Sequence, residues 1–189
     1  MRRTKAEAMQ TREQVLKAAA TVIAQQGVNA FTIEAVAQEA GVTKGGVLHH
    51  FPSKVDLVTG LIDEVVATFN ARLQAELNAE PEGQPGRWLR AYLRTVFFAD
   101  FADGNLLPAL AASVAAEPDI LVRIRRSYEE SQQAAVDDGI DPVLATIIRL
   151  ATDGLVFTRA FGMDVLDSVA SQNTYQELVR LTGLTSATT

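Results

Sequence analysis

Apolar positions recur at helical spacing along nearly the whole chain, and no stretch alternates as a half-buried strand does. Val15, Ala18, Ala19, Val22 and Ile23 form one stripe that stops near Gly27. Thr11 with Gln14 three residues later reads as the capping box that opens this helix. Ile33, Val36, Ala37 and Ala40 make a shorter stripe behind Thr32, and a third short helix follows Thr43 after the turn at Gly41. Ser53 and Asp56 form another cap. Behind it Leu57, Leu61, Ile62, Val65, Phe69, Leu73 and Leu77 predict one helix over 54–78, ~37 Å long at ~1.5 Å per residue.

Two prolines and two glycines within 81–86 break the pattern. A helix over 87–100 then carries Trp88, Tyr92, Val96 and Phe97, with Phe101 at its end before the stop at 103–105 and a small-residue helix over 106–116. Pro118 starts the next helix, whose Arg123, Arg125 and Arg126 read as a solvated face pairing with Glu129 and Glu130. Asp141 as cap and Pro142 at the first position start a helix to about 161. A last helix spans 165–181, and 182–189 reads as a frayed tail. The expected fold is all-α, with a three-helix head over 1–54 and a helical body over 55–189.

The helix over 142–161 is apolar on almost every side, so it needs cover on more than one face. A second copy of the chain supplies that cover if two helices from each copy form a four-helix interface. Small Ala151 and Gly154 permit close approach in such an interface, beside Ile148, Leu155 and Leu178. The alternative is an ordinary buried core helix.

Composition narrows the chemistry. There is no cysteine, which excludes disulfides, thiolate metal sites and cysteine nucleophiles and fits the cytoplasm. No apolar run approaches the ~18 to 20 residues that span a bilayer, and 1–14 lacks the apolar core of a signal peptide. The His49-His50 pair has no further histidine or cysteine to complete a metal site. No cofactor is expected. An all-α di-iron enzyme needs Glu-x-x-His pairs, a phosphate-binding enzyme a glycine-rich loop, and a hydrolase a nucleophile elbow; none is present.

The net charge of −6 is unevenly spread. Residues 1–54 hold seven Lys/Arg against four acids, net +3, and the remainder holds ten against nineteen, net −9. A basic head on an acidic body confines nucleic-acid contact to one end. Two short helices joined across Gly41 meet the requirement of a helix-turn-helix over about 32–51. A DNA-binding architectural protein without an effector is the rival reading, but it has no need of a large aromatic-rich body.

The 32–54 segment, with its Gly-Val-Thr-Lys-Gly start and His-His-Phe-Pro-Ser-Lys end, resembles the DNA-binding head of the tetracycline-repressor (TetR) family of bacterial regulators. The motif similarity covers about 11–58. The resemblance implies a homodimeric repressor that binds a palindromic double-stranded DNA operator and is released by a small-molecule effector, without membrane or metal. It implies that Thr43 caps the recognition helix and that Lys44 contacts phosphate or guanine. Gly45, next to Gly46, approaches the duplex closely, His49 and His50 reach phosphates or a base, and Thr32 and Lys54 grip the flanking backbone. Family members usually carry an aromatic residue where this chain has Leu48, which offers only apolar contact to a thymine methyl. Val47 and Phe51 fall to the head's core. In the body the resemblance implies an effector pocket, drawn from Trp88, Tyr92, Phe97, Phe101, Tyr128, Phe157 and Phe161. Asp153 is placed to face a cationic effector or, alternatively, to pair with Arg149.

Overall fold

The computed structural model describes residues 5–27, 30–98, 118–163 and 165–183. Among them are eight helices and no strand: α1 (Lys5–Gln26), α2 (Ile33–Glu39), α3 (Lys44–His50), α4 (Lys54–Ala79), α5 (Arg87–Phe97), α6 (Pro118–Val136), α7 (Pro142–Ala160) and α8 (Ser168–Leu181). Phe101, the stop at 103–105, the helix over 106–116 and residues 184–189 lie outside the described residues.

Two compact units divide inside α4, the first holding described residues 5–27, 30–66 and 118–120 and the second 67–98, 121–163 and 165–183. The head thus takes in more than residues 1–54. Leu57, Val58, Leu61 and Ile62 are buried on the first half of α4 and complete a core with Val15, Ala19, Val22, Phe31, Val36, Val47 and Phe51. Gly60 sits in this core because a Cβ there would lie 2.6 Å from Phe51 Cε1 and 3.2 Å from Leu16 Cδ2. Gly60→Ala is therefore expected to destabilise the head by about 1–3 kcal/mol, the usual cost of overpacking, despite alanine's better helix propensity. Urea melts followed by circular dichroism measure it.

One cap is corrected. Helix α1 begins at Lys5, so Thr11 lies inside it and donates its hydroxyl to the Glu7 carbonyl at 2.8 Å. A mid-helix threonine bonding back one turn fits the same Thr-x-x-Gln pattern as a capping box. Gln14 instead donates across to the Ala40 carbonyl at 2.7 Å, closing the end of α2. The other caps form as the sequence predicts. Ser53 accepts from the Asp56 N–H at 3.1 Å, and Asp141 from Leu144 at 2.8 Å ahead of Pro142.

In the second unit Leu89, Leu93, Val96, Ala145, Ile148 and Leu155 form the centre of one core. Gly86, in the left-handed region at φ 75°, precedes α5 without a side-chain cap of its own. Asp138, ahead of α7, supplies it by accepting from the N–H groups of Trp88 and Leu89 at 2.7 and 2.8 Å. The last turn of α4 is held by three arginines of α5. Arg87 donates to the Leu77 carbonyl at 2.7 Å, Arg90 to the Glu80 carboxylate at 2.7 Å, and Arg94 to Glu76 at 2.8 Å and also to Glu80. Thr182, expected at the start of a frayed tail, is fully buried and donates its hydroxyl to the Val179 carbonyl at 2.7 Å.

Candidate nucleic-acid interface

Helices α2 and α3 meet across Gly41, whose φ of 63° turns the chain where a side chain would be strained. Each starts on a threonine. Thr32 accepts from Ala35 N–H at 3.1 Å and Thr43 from Gly46 N–H at 3.0 Å. Val47 turns inward and is fully buried, as is nearly all of Phe51, so α3 is seated on the head by its middle. That leaves Thr43, Lys44, Gly45 and His49 exposed, and Leu48 and His50 partly so.

The two glycines of α3 differ. A Cβ on Gly45 would meet only Thr43 Oγ1, at 3.9 Å, so nothing inside the head requires glycine there. A Cβ on Gly46 would lie 3.3 Å from Thr43 Oγ1 and 3.6 Å from Val42 Cβ, a tight fit of the head's own making.

Two contacts tie lysines to residues around the start of α2. Lys54 holds its ammonium 5.2 Å from the Phe31 ring centroid, next to exposed Thr32. Two residues on, Glu34 pairs with Lys44 at 2.5 Å, joining the first turn of α2 to the first residue of α3. Hydrogen bonding from Lys44, then the Glu34 backbone and the charge of Lys44, holds the Glu34 carboxyl below its ordinary range. Lys54 thus lies against Phe31, next in sequence to Thr32, and Lys44 meets a carboxylate on α2 that sequence reasoning missed. Its signal was an acid two residues after the α2 cap, visible only once α2 and α3 are docked. The two histidine rings contact edge to face at 5.1 Å. Among the described residues no group of three or more His, Asp or Glu is arranged to hold a metal.

The expected effector residues do not all gather. Trp88 stacks on Tyr92 at 4.9 Å, and Phe69, not foreseen, meets Tyr92 edge-on at 5.8 Å. Tyr92 donates to Asp153, whose other oxygen receives Arg149 at 2.5 Å. Arg149 also donates to Gln132 at 2.6 Å, and Gln132 donates to Thr146 at 2.8 Å. Tyr128 lies under Arg149 with its ring centroid at 5.8 Å. Burial, then the charge of Asp153, pushes the Tyr92 phenol far above its ordinary value, so it remains a donor. Both Asp153 oxygens are engaged, which leaves the Arg149 pairing in place of a free counter-charge. Phe97 is buried against Tyr175, whereas Phe157 and Phe161 contact each other at 4.6 Å and are both exposed.

The residues expected at a dimer seam also separate. Ile148, Leu155 and Leu178 are buried in their own subunit's core, and Ala151 and Gly154 face solvent. The opposite side of α7 is apolar and open. Val143, Ile147, Leu150 and Phe157 are 67, 56, 54 and 56% exposed, and Gly154 lies between the last two. With Phe161 these positions are spaced 4, 3, 4, 3 and 4, the repeat of a coiled-coil seam.

Residues 15–61 match the family described as bacterial regulatory proteins, tetR family, and residues 86–183 match the tetracyclin repressor-like C-terminal domain. The transcriptional regulator TtgR of Pseudomonas putida is 37% identical over 97 residues, 51% of this chain and 46% of that protein. The alignment thus spans about half the length of that relative. A transcriptional regulator from Rhodococcus sp. Rha1 superposes with TM-score 0.71 at 23% identity, covering 90% of this chain and 94% of that one. One from Saccharomonospora viridis in complex with choline gives 0.71 at 20% identity, covering 91% and 95%.

Proposed function

Because this chain belongs to the tetracycline repressor-like family of bacterial regulators, we propose that it is a DNA-binding transcriptional repressor. It acts as a homodimer on a palindromic operator and is released by a small apolar effector, cations included. The edge formed by Thr32, Lys44, Gly45, His49 and Lys54 carries the reading. It is basic and exposed, and at Gly45 it is unobstructed for a reason the head itself does not supply. Each subunit places α3 in a major groove, and two-fold symmetry demands half-sites about one turn, ~34 Å, apart or a longer member of that spacing.

The heptad stripe on α7 supports the dimer, in place of Ile148, Leu155 and Leu178. The aromatic group around Tyr92 supports the effector site, and the cation bound by the S. viridis regulator supports the effector's class. Since α4 belongs to both units as one helix, it is the element through which an occupied body alters the head. A tenfold loss of operator affinity needs only ~1.4 kcal/mol of differential effector binding. The protein works in the cytoplasm, where its operator is, and no described helix is long and apolar enough to cross a membrane.

The test is selection of genomic fragments by the purified protein, followed by binding to the selected operator across a salt series. Lys44→Ala and Lys54→Ala are each expected to weaken binding and to lower the salt slope by roughly one unit per contact and subunit. An unchanged affinity and slope for both would remove the DNA-binding assignment.

A further inference from the structure

The Glu34–Lys44 pair places an acceptor and a donor side by side on the exposed edge of the head, 2.5 Å apart, with side chains 63 and 58% exposed. An acid is out of place on a surface meant for phosphates. It repels the polyanion, and it takes up the charge that Lys44 would otherwise bring to the duplex, reducing counterion release on binding. That cost has a purpose if the carboxylate meets a donor on the DNA.

The major groove offers a donor beside an acceptor at both kinds of base pair, and G·C suits a lysine–glutamate pair better, because guanine gives the lysine two acceptors and cytosine gives the glutamate its usual donor. In G·C, guanine presents O6 and N7 as acceptors and cytosine presents its N4 amino group as donor. O6 and N4 are joined by the pair's own hydrogen bond, so they lie about 2.9 Å apart. The lysine ammonium is a donor to guanine, and a glutamate accepts from the cytosine amino group. The separation of the Lys44 and Glu34 groups is close to that of the atoms they complement.

We propose that Glu34 and Lys44 read one G·C pair in each half-site jointly, Lys44 donating to guanine O6 or N7 and Glu34 accepting from cytosine N4. Off the operator the two satisfy each other. On DNA of most other sequences the carboxylate faces phosphate, a base edge without a donor, or an adenine amino group beside which the lysine has no O6/N7 pair to meet, and generic binding is held down. Specificity then comes from an attractive and a repulsive component in the same two residues. The inference rests on the DNA-binding function proposed above and adds to it a base-reading residue on α2, outside the recognition helix. The lowered ionisation range of Glu34 keeps it an acceptor at neutral pH.

The experiment selects binding sites from a random duplex library with the wild-type protein, Glu34→Gln and Lys44→Ala. It also measures each against one scrambled 30-base-pair duplex at several salt concentrations. The exposed Glu34→Gln change is checked for retained fold by circular dichroism. The wild type is expected to enrich a palindrome with a fixed G·C at one position of each half. Glu34→Gln is expected to relax that position by about tenfold to a hundredfold, the discrimination of a good base contact, and to bind the scrambled duplex roughly threefold to tenfold more tightly. Lys44→Ala should relax the same position. Unchanged base preference in Glu34→Gln at every position would overturn the proposal while leaving the DNA-binding function standing. A wild-type protein that enriches no sequence and retains no duplex at low salt overturns both.

Discussion

Leu150→Glu is expected to leave the subunit folded and split the proposed dimer. Leu150 lies at the middle of the 4-3 repeat on the open side of α7, 54% exposed within one subunit. Over 143–161 the stripe runs ~27 Å along the helix, long enough to contribute to an interface above ~1,000 Å². Across a two-fold seam the substitution sets one carboxylate near its symmetry mate in apolar surroundings. An uncompensated buried charge costs about 4 kcal/mol, roughly a thousandfold in dimer dissociation. Sedimentation at micromolar concentration reads it, and operator affinity falls with it because the heads no longer bind as a linked pair. The contrast is Ile148→Glu, two residues away and fully buried in its own subunit, which should lose helical signal instead. A monomeric wild type that still binds its operator tightly would refute the dimer.

The second large effect is expected at Asp153. This carboxylate receives the Tyr92 hydroxyl on one oxygen and Arg149 on the other, and Arg149 is only 7% exposed. Asp153→Ala leaves a buried guanidinium and a buried phenol short of a partner, at an expected cost of about 3–5 kcal/mol. Replacing Arg149 and Asp153 together by leucine should recover most of that loss, because the uncompensated charge goes too. Trp88 is the chain's single tryptophan and stacks on Tyr92, so its fluorescence during urea unfolding reports this part of the body. Equal destabilisation by the single and double substitutions would show that the cluster matters for its shape and not its charge.

Much of this arrangement was legible in the sequence wherever the signal is local. The cap at Ser53, the cap at Asp141 with Pro142, the Arg149–Asp153 pair one turn apart and the break over 81–86 each depend on residues within a few positions. The failures share a different cause. Asp138 caps α5 across about fifty residues of sequence, so no pattern near Gly86 announces it. Both sides of α7 are apolar, and periodicity alone could not say which one the subunit keeps for itself. In the structure Arg149 and Thr152 lie on the buried side, where Gln132 and the Ile148 carbonyl satisfy them. Glu34 looked like an ordinary first-turn acid until α2 and α3 were set together. The proposed DNA-contact residues were therefore readable as a list of basic and small residues, and Glu34, paired with Lys44, was not.

The contact between Gly86 and Thr182 bears on the order in which the protein is made. A Cβ on Gly86 would lie 2.3 Å from the Thr182 carbonyl oxygen, so the start of α5 and the end of α8 are in direct backbone contact. During synthesis the described core of the first unit can pack as soon as residues 15–62 have emerged, since those buried positions all fall within that span. The second unit cannot complete its own until Thr182 arrives. A nascent chain therefore holds the packed helices of its head before the last helix of the body exists, and its α5 stays unsealed until α8 is made.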